Sequence, residues 1–322
     1  MIEIEDKNEW NSKVLKCTDY NFYQSFEWGQ VKREQDWTVK RFYCEKNNGF
    51  SLCQCLGKKM LGINLVWLPG GPLLSDELEP SILSSLLGEL TDYYERRNKL
   101  NYIRLNCQVK YSPELVEVFR KHDFLPPYYD MASSLTFVAD RDYLKNIDKH
   151  LSSNWKHNLR RSCRNDFGIS IKNNLEDIEE IYAIYEEAAK TKNFNRTISL
   201  QFLKEIHNSF RTVTFLVRNF SGRVILLYGN RAYDFLAGTT AHGRRNYSSY
   251  FLVYRLMQWC AENNIALFDF SGVDPRKVQG VYNFKKGTGA ELVRFIGERE
   301  RASPRLLRIL CNLSIYLRGI GR

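Results

Sequence analysis

Nowhere in this chain do about 18 apolar residues run together, so no helix of the length needed to cross a bilayer is expected. Histidine is scarce, five in 322 residues, and the five follow no regular ligand spacing. Eight cysteines are present: Cys17, Cys44, Cys53, Cys55, Cys107, Cys163, Cys260 and Cys311. Only Cys53 and Cys55 are close, and no second cysteine or histidine pair exists to complete a zinc site. On a strand their side chains are expected to alternate toward Leu52 and Gln54 rather than to form a cage. Reduced thiols in a cytoplasmic protein, with no metal, are the expectation. The opening residues Met1–Asp6 are acidic and carry no apolar run, so no secretory leader is expected.

What is present argues for folded domains. Of the 322 residues, 43% are hydrophobic and 14% aromatic, too many for a disordered chain and enough for two domains. Forty-seven Lys and Arg against 37 Asp and Glu leave a formal charge of +10, which favours anionic partners: phosphates, a nucleic acid or an anionic membrane surface.

Strand-like runs are expected at Val39–Glu45, Phe50–Leu56, Ile63–Leu68 and Ile103–Cys107, with a helix from about Glu79 to Arg97 before the last. The order recurs later. Val213–Arg218, Val224–Tyr228 and Tyr233–Ala237 read as strands, followed by a helix over Ser248–Glu262 and a strand at Ala266–Phe270. Without residue-by-residue similarity this is an architectural duplication, and it predicts two similarly built α/β domains. Further helices are expected from Ser152 to about Asp166, over Glu176–Lys190 and Ser199–Phe210, and over Arg305–Arg318 behind a Ser303-Pro304 cap.

Three segments carry candidate chemistry. In Trp155-Lys156-His157-Asn158-Leu159-Arg160-Arg161-Ser162-Cys163-Arg164, helical spacing puts Trp155, Leu159 and Cys163 on one stripe and Lys156, Arg160 and Arg164 on the next ridge. Stacked like charges repel unless an anion lies nearby, so phosphate or RNA contact is weighed against a merely solvated face. In Phe268–Pro275 and Gly280–Gly289 a strand ends in a Ser-Gly turn, followed by Phe284-Lys285-Lys286 between glycines. A lysine on such a turn can reach a phosphoryl oxygen or a developing oxyanion, while a surface turn with solvated lysines is the plain reading. Asp269, at the strand end, is the best-placed carboxylate. In Gln24-Ser25-Phe26-Glu27-Trp28-Gly29-Gln30-Val31-Lys32, Phe26, Trp28 and Val31 read as core and Lys32 as exposed.

Taken in order, these segments resemble the FemABX family, the peptidoglycan interpeptide-bridge aminoacyltransferases and their GNAT-like relatives. The resemblance also takes in Pro69–Pro72 and Arg244-Arg245-Asn246-Tyr247. It implies an α/β (α+β) fold of two tandem GNAT-like domains, with mixed, mostly antiparallel sheets flanked by helices and no coiled-coil arm. Domain limits of 1–143 and 144–302 are expected, the second holding the basic helix and the Phe-Lys motif. Residues 303–322 form a C-terminal amphipathic basic helix able to pack back on the first domain.

The implied activity is aminoacyl transfer from aminoacyl-tRNA to an amino group of a nucleotide- or lipid-linked envelope precursor. By motif, Phe284-Lys285 corresponds to the family's phenylalanine and transition-state lysine, with Asp269 as the candidate base. Lys32 and Arg196 correspond to residues that hold substrate phosphates, and Trp28, Tyr247 and Tyr282 are the remaining substrate-side candidates. Lys156, Arg160, Arg161, Arg164 and Lys286 are the candidates for tRNA or phosphate. No cofactor is implied.

Two other readings stand beside this one. A GNAT-type acyltransferase would bind acetyl-CoA or another acyl-CoA on a glycine-rich turn, for which Gly238–Gly243, assisted by Arg244 and Arg245, is the candidate. A non-catalytic RNA-binding protein would show an RNP- or KH-like signature, and none is seen. Finally, Leu306, Leu310, Leu313 and Leu317 share a stripe away from Arg305, Arg308 and Arg318. That pattern suits either packing on a domain or peripheral contact with the inner face of the plasma membrane.

Overall fold

The computed structural model describes residues 1–46, 49–75, 80–192 and 198–318. In chain order its strands are β1 (Ile2–Glu3), β2 (Thr38–Lys46), β3 (Gly49–Met60), β4 (Ile63–Gly70), β5 (Leu73–Leu74), β6 (Asn101–Lys110), β7 (Leu135–Asp140), β8 (Ser170–Lys172), β9 (Arg211–Val217), β10 (Ser221–Tyr228), β11 (Arg231–Thr239), β12 (Leu267–Gly272) and β13 (Glu291–Ser303). The chain divides into two units, Met1–Leu135 with Arg294–Arg322, and Thr136–Val293. These limits differ from 143 and 302. Residues 136–143 go with the second unit, and most of β13 goes with the first because it pairs with β6 from Phe295 to Ser303.

In the first unit, β2, β3 and β4 form an antiparallel meander, and β6 joins β4 in parallel after the helix Pro80–Glu95. Alternation sets the two faces of this sheet. Phe42, Cys44, Cys53, Cys55, Val66, Leu68, Ile103, Leu105 and Cys107 share one face and pack on Leu83, Leu86, Leu87 and Leu90 of that helix. Cys53 and Cys55 therefore point the same way, their Sγ atoms 3.8 Å apart as free thiols, because residues two apart on a strand share a face. The other face buries charge and amide: Arg41 donates to Gln54 at 2.8 Å, and Arg104 pairs with Glu298.

The second unit repeats the scheme. β9, β10 and β11 are antiparallel, the helix Ser248–Glu262 follows, and β12 joins β11 in parallel. β8 pairs with β9, and β7 with β12. Every residue of β10 is buried, because both faces of this sheet are covered. Leu216 packs with Ile178, Ile181 and Ile184 of the helix Leu175–Lys192. Its neighbour Phe215 points the opposite way and meets Trp259 of Ser248–Glu262 at 5.6 Å.

Three local expectations change. The basic helix is α-helical over Ser153–Ser162, capped by Ser152, and ends in a 3-10 turn over Cys163–Asn165. Trp155 is buried, but Cys163 is exposed; Ser162 is the second inward residue of that helix, donating to the carbonyl of Tyr247 at 2.8 Å. Ser303 is the last residue of β13 rather than a helix cap, and the final helix runs over Leu306–Leu317.

Candidate active site

The segment around Lys285 is a helix, Gln279–Gly287, and not a turn. Its last turn points Lys285 inward, leaving the residue 7% exposed, while Lys286 faces solvent. The inward pull comes from the end of β12. There Ser271 takes a left-handed φ of 63°, a conformation that non-glycine residues adopt at some cost. Its amide donates to Asp269 Oδ1 at 2.7 Å and its hydroxyl to the carbonyl of Asp234 at 2.6 Å, which hold the turn in place. The result is three successive carbonyls around one ammonium: Lys285 Nζ donates to Phe270 at 2.5 Å, Ser271 at 3.0 Å and Gly272 at 3.3 Å.

Three effects act on that lysine. Burial pushes its pKa down to about 7, repulsion from Arg223 adds to this, and Asp269 pulls the other way. Arg223, on β10, forms a buried ion pair with Asp234 on β11, and burial holds its own pKa down at about 10. Among the described residues Asp234 Oδ1 has no hydrogen-bond partner. Asp269 accepts from Thr136 Oγ1 at 2.5 Å, yet desolvation still raises its carboxyl above the ordinary value. Sequence reading missed Arg223 and Asp234. The signal was available: Arg223 is the lone charge in β10, whose every residue is buried, and Asp234 stands between Tyr233 and Phe235 in the apolar stretch of β11.

This pKa carries a stability consequence. An unfolded lysine titrates near the ordinary 10.5, so between that value and about 7 the unfolded chain holds a proton that the folded chain has released. The penalty is complete below pH 7 and is lifted as pH rises through this window. Relative to Lys285→Met, the wild-type chain should gain about 2 kcal/mol of stability between pH 7 and pH 9. Urea melts on both chains would measure it; a difference that stays constant with pH would show that Lys285 keeps its proton.

Aromatic rings join this lysine to the basic helix. Phe284 lies 5.9 Å from Trp155 and 5.0 Å from Tyr250, and Asn158 donates to the Tyr250 hydroxyl at 3.1 Å. Tyr247, the left-handed cap of Ser248–Glu262, lies under Arg161 at 4.2 Å, and Tyr282 contacts Phe137 at 5.5 Å. Arg160, Arg161 and Arg164 are exposed and Lys156 half-buried, and none of the four forms an ion pair among the described residues. Phe284, Lys285, Lys286, Asp269, Tyr247, Tyr282 and the basic helix thus all belong to the second unit.

Lys32 and Trp28 belong to the first unit. Trp28 is buried edge-on against Phe22 and Tyr23, and Lys32 Nζ stands 4.9 Å from its ring while donating to Gln35 at 2.9 Å. Other residues of that motif brace the fold. Gln24 donates to the carbonyl of Pro69 at 2.6 Å and accepts from the amide of Gln54 at 2.6 Å, and Ser25 caps the helix Phe26–Arg33. Arg196 lies outside the described residues.

Gly238–Gly243 is not an open glycine turn. Gly238 ends within β11 and Gly243 within the short helix Ala241–Arg245. A Cβ on Gly238 would lie 2.7 Å from the backbone nitrogen of Tyr185, and one on Gly243 would lie 2.2 Å from the carbonyl oxygen of Phe220. Close packing of protein on protein accounts for both glycines.

Residues 199–307 match the model of the FemAB family, a span that holds Arg223, Asp234, Asp269 and Lys285 and stops short of the basic helix. A UDP-N-acetylmuramoylpentapeptide-lysine N(6)-alanyltransferase from Weissella viridescens is 20% identical over 302 residues, 86% of this chain and 88% of that protein. The crystal structure of FemX aligns with a TM-score of 0.81 at 14% identity, over 97% of this chain and 100% of that one. A tandem GNAT protein from the clavulanic acid biosynthesis pathway aligns with a TM-score of 0.55 at 8% identity, over 94% and 98%. The fold is that of the tandem GNAT-like proteins.

Proposed function

The chain belongs to the FemABX family of acyltransferases, and from that premise we propose that it transfers an aminoacyl group from aminoacyl-tRNA to an amine of a peptidoglycan precursor. The observation that carries this reading is the Lys285 ammonium held by three carbonyls beside Phe284, inside a buried polar cluster. The neutral acceptor amine attacks the ester carbonyl of the donor. A C–N bond forms, the C–O bond to the tRNA ribose breaks, and the amine proton ends on the departing hydroxyl. Lys285 donates to the tetrahedral oxyanion, exchanging one of its carbonyl partners for it; Gly272, at 3.3 Å, is the longest of the three and the readiest to be exchanged. The donor ester is already activated, so positioning supplies much of the remaining rate.

On this reading the cations of the basic helix, which form no ion pair among the described residues, take the phosphates of the tRNA. The test is to incubate the purified protein with charged tRNA and an envelope precursor and to follow the labelled amino acid by mass spectrometry. Transfer to the precursor amine is expected; transfer only from acyl-CoA would overturn the donor assignment. Replacing Arg160 and Arg164 with glutamine should weaken tRNA binding and lower its salt slope by about 2, one released counterion for each lost phosphate contact. An unchanged slope would return this helix to a solvated face.

A further inference from the structure

The helix Leu306–Leu317 is inverted relative to an ordinary surface helix. Its inner side is anchored by polar groups: Arg308 Nε and Asn312 Nδ2 both donate to Glu300 Oε1 at 2.7 Å, and Asn312 Oδ1 accepts from the amide of Tyr128 at 3.2 Å. Only Leu307 adds a fully buried apolar side chain. Its outer side is apolar, with Leu306, Ile309, Leu310, Leu313, Tyr316 and Leu317 between 38% and 73% exposed. Tyr129 extends that face, its ring 5.1 Å from Tyr316. Soluble helices bury such a stripe and expose the charges, and a contiguous exposed patch of this kind marks an interaction surface.

We infer that this face docks on an anionic lipid surface. Charge decides the occupant. The helix contains no carboxylate, and arginines bracket it: Arg305, with its side chain 85% exposed although it touches Asp123, and Arg318, exposed and without an ion pair among the described residues. Pairing two such helices from two copies would set arginine against arginine in either direction, whereas anionic headgroups answer both ends. A helix of 12 residues is about 18 Å long, too short to cross the hydrocarbon core, so it lies along the interface. No helix among the described residues is long and apolar enough to span a membrane. Docking would place the enzyme where lipid-linked precursors reside; that consequence rests on the transfer reading above, while docking itself does not.

The test is co-sedimentation of the full chain, without substrate, with phosphatidylcholine vesicles and with phosphatidylcholine–phosphatidylglycerol vesicles. Binding to the anionic vesicles and release by salt are expected. Leu310→Gln with Leu313→Gln should weaken it about tenfold or more, since both leucines lose an apolar environment. Both are exposed, so the fold should survive, as circular dichroism would check, and transfer to a soluble nucleotide-linked acceptor should be unchanged. Absence of vesicle binding, or equal binding by the folded double variant, would overturn the inference. So would a wild-type dimer that becomes monomeric in the variant, which would show that a second copy covers this face.

Discussion

Lys285→Ala is expected to lower kcat by about 10²–10³-fold, the loss seen when one preorganised oxyanion donor is removed. Because Lys285 is buried and donates to the carbonyls of residues 270–272, alanine would also leave those carbonyls unsatisfied, which costs stability by itself. Lys285→Met leaves the same carbonyls without a donor but fills the space, so it takes the cavity out of the comparison; where circular dichroism shows it folded, it should still lose most of kcat. A pH profile adds a second readout. With the ammonium as the working form and a pKa near 7, the contribution of Lys285 to kcat should decline as pH rises through that value. A folded Lys285→Met enzyme within a few-fold of wild type would remove this lysine from the chemistry.

Arg223→Ala should destabilise the second unit by about 3–5 kcal/mol, because it strands Asp234 as a buried, unpaired carboxylate. The double replacement Arg223→Met with Asp234→Leu removes both charges and should recover most of that loss. Chemical denaturation of the single and double variants checks it. Equal stability of Arg223→Ala and wild type would show that the pair contributes nothing. The same substitution lifts a repulsion from Lys285, so in a folded Arg223→Met enzyme the pH at which kcat falls should move upward. The pair then serves as a positioning and tuning element for the lysine, with no need to touch substrate.

Much of this architecture was legible from periodicity. The order of three strands, a helix and a strand, read twice along the chain, is what β2–β4 with β6 and β9–β11 with β12 display. Apolar alternation and serine caps are local signals, read from residue type and spacing over a few positions. β13 was not legible. Its Glu298-Arg299-Glu300-Arg301 looks like a solvated run, yet Glu298 and Glu300 are buried by Arg104, Tyr102, Arg308 and Asn312, partners up to about two hundred positions away in sequence. Only after those partners are in place does a charged segment become an interior strand, and with it moves the limit between the two units.

The site shows the same division. The Phe284-Lys285 pair, Asp269 at a strand end and the cation ridge are properties of residue type and spacing, available to anyone reading the chain. The charge state of Lys285 is not among them. It depends on helical rather than turn geometry at 279–287, on the left-handed turn at Ser271 that aims three carbonyls inward, and on Arg223 held nearby by Asp234. Likewise, helical spacing was enough to define the leucine stripe of Leu306–Leu317, but not which way it faces. Glu300 settles that, because a carboxylate buried beneath the helix must be answered by Arg308 and Asn312, and turning those two inward leaves the leucines outside.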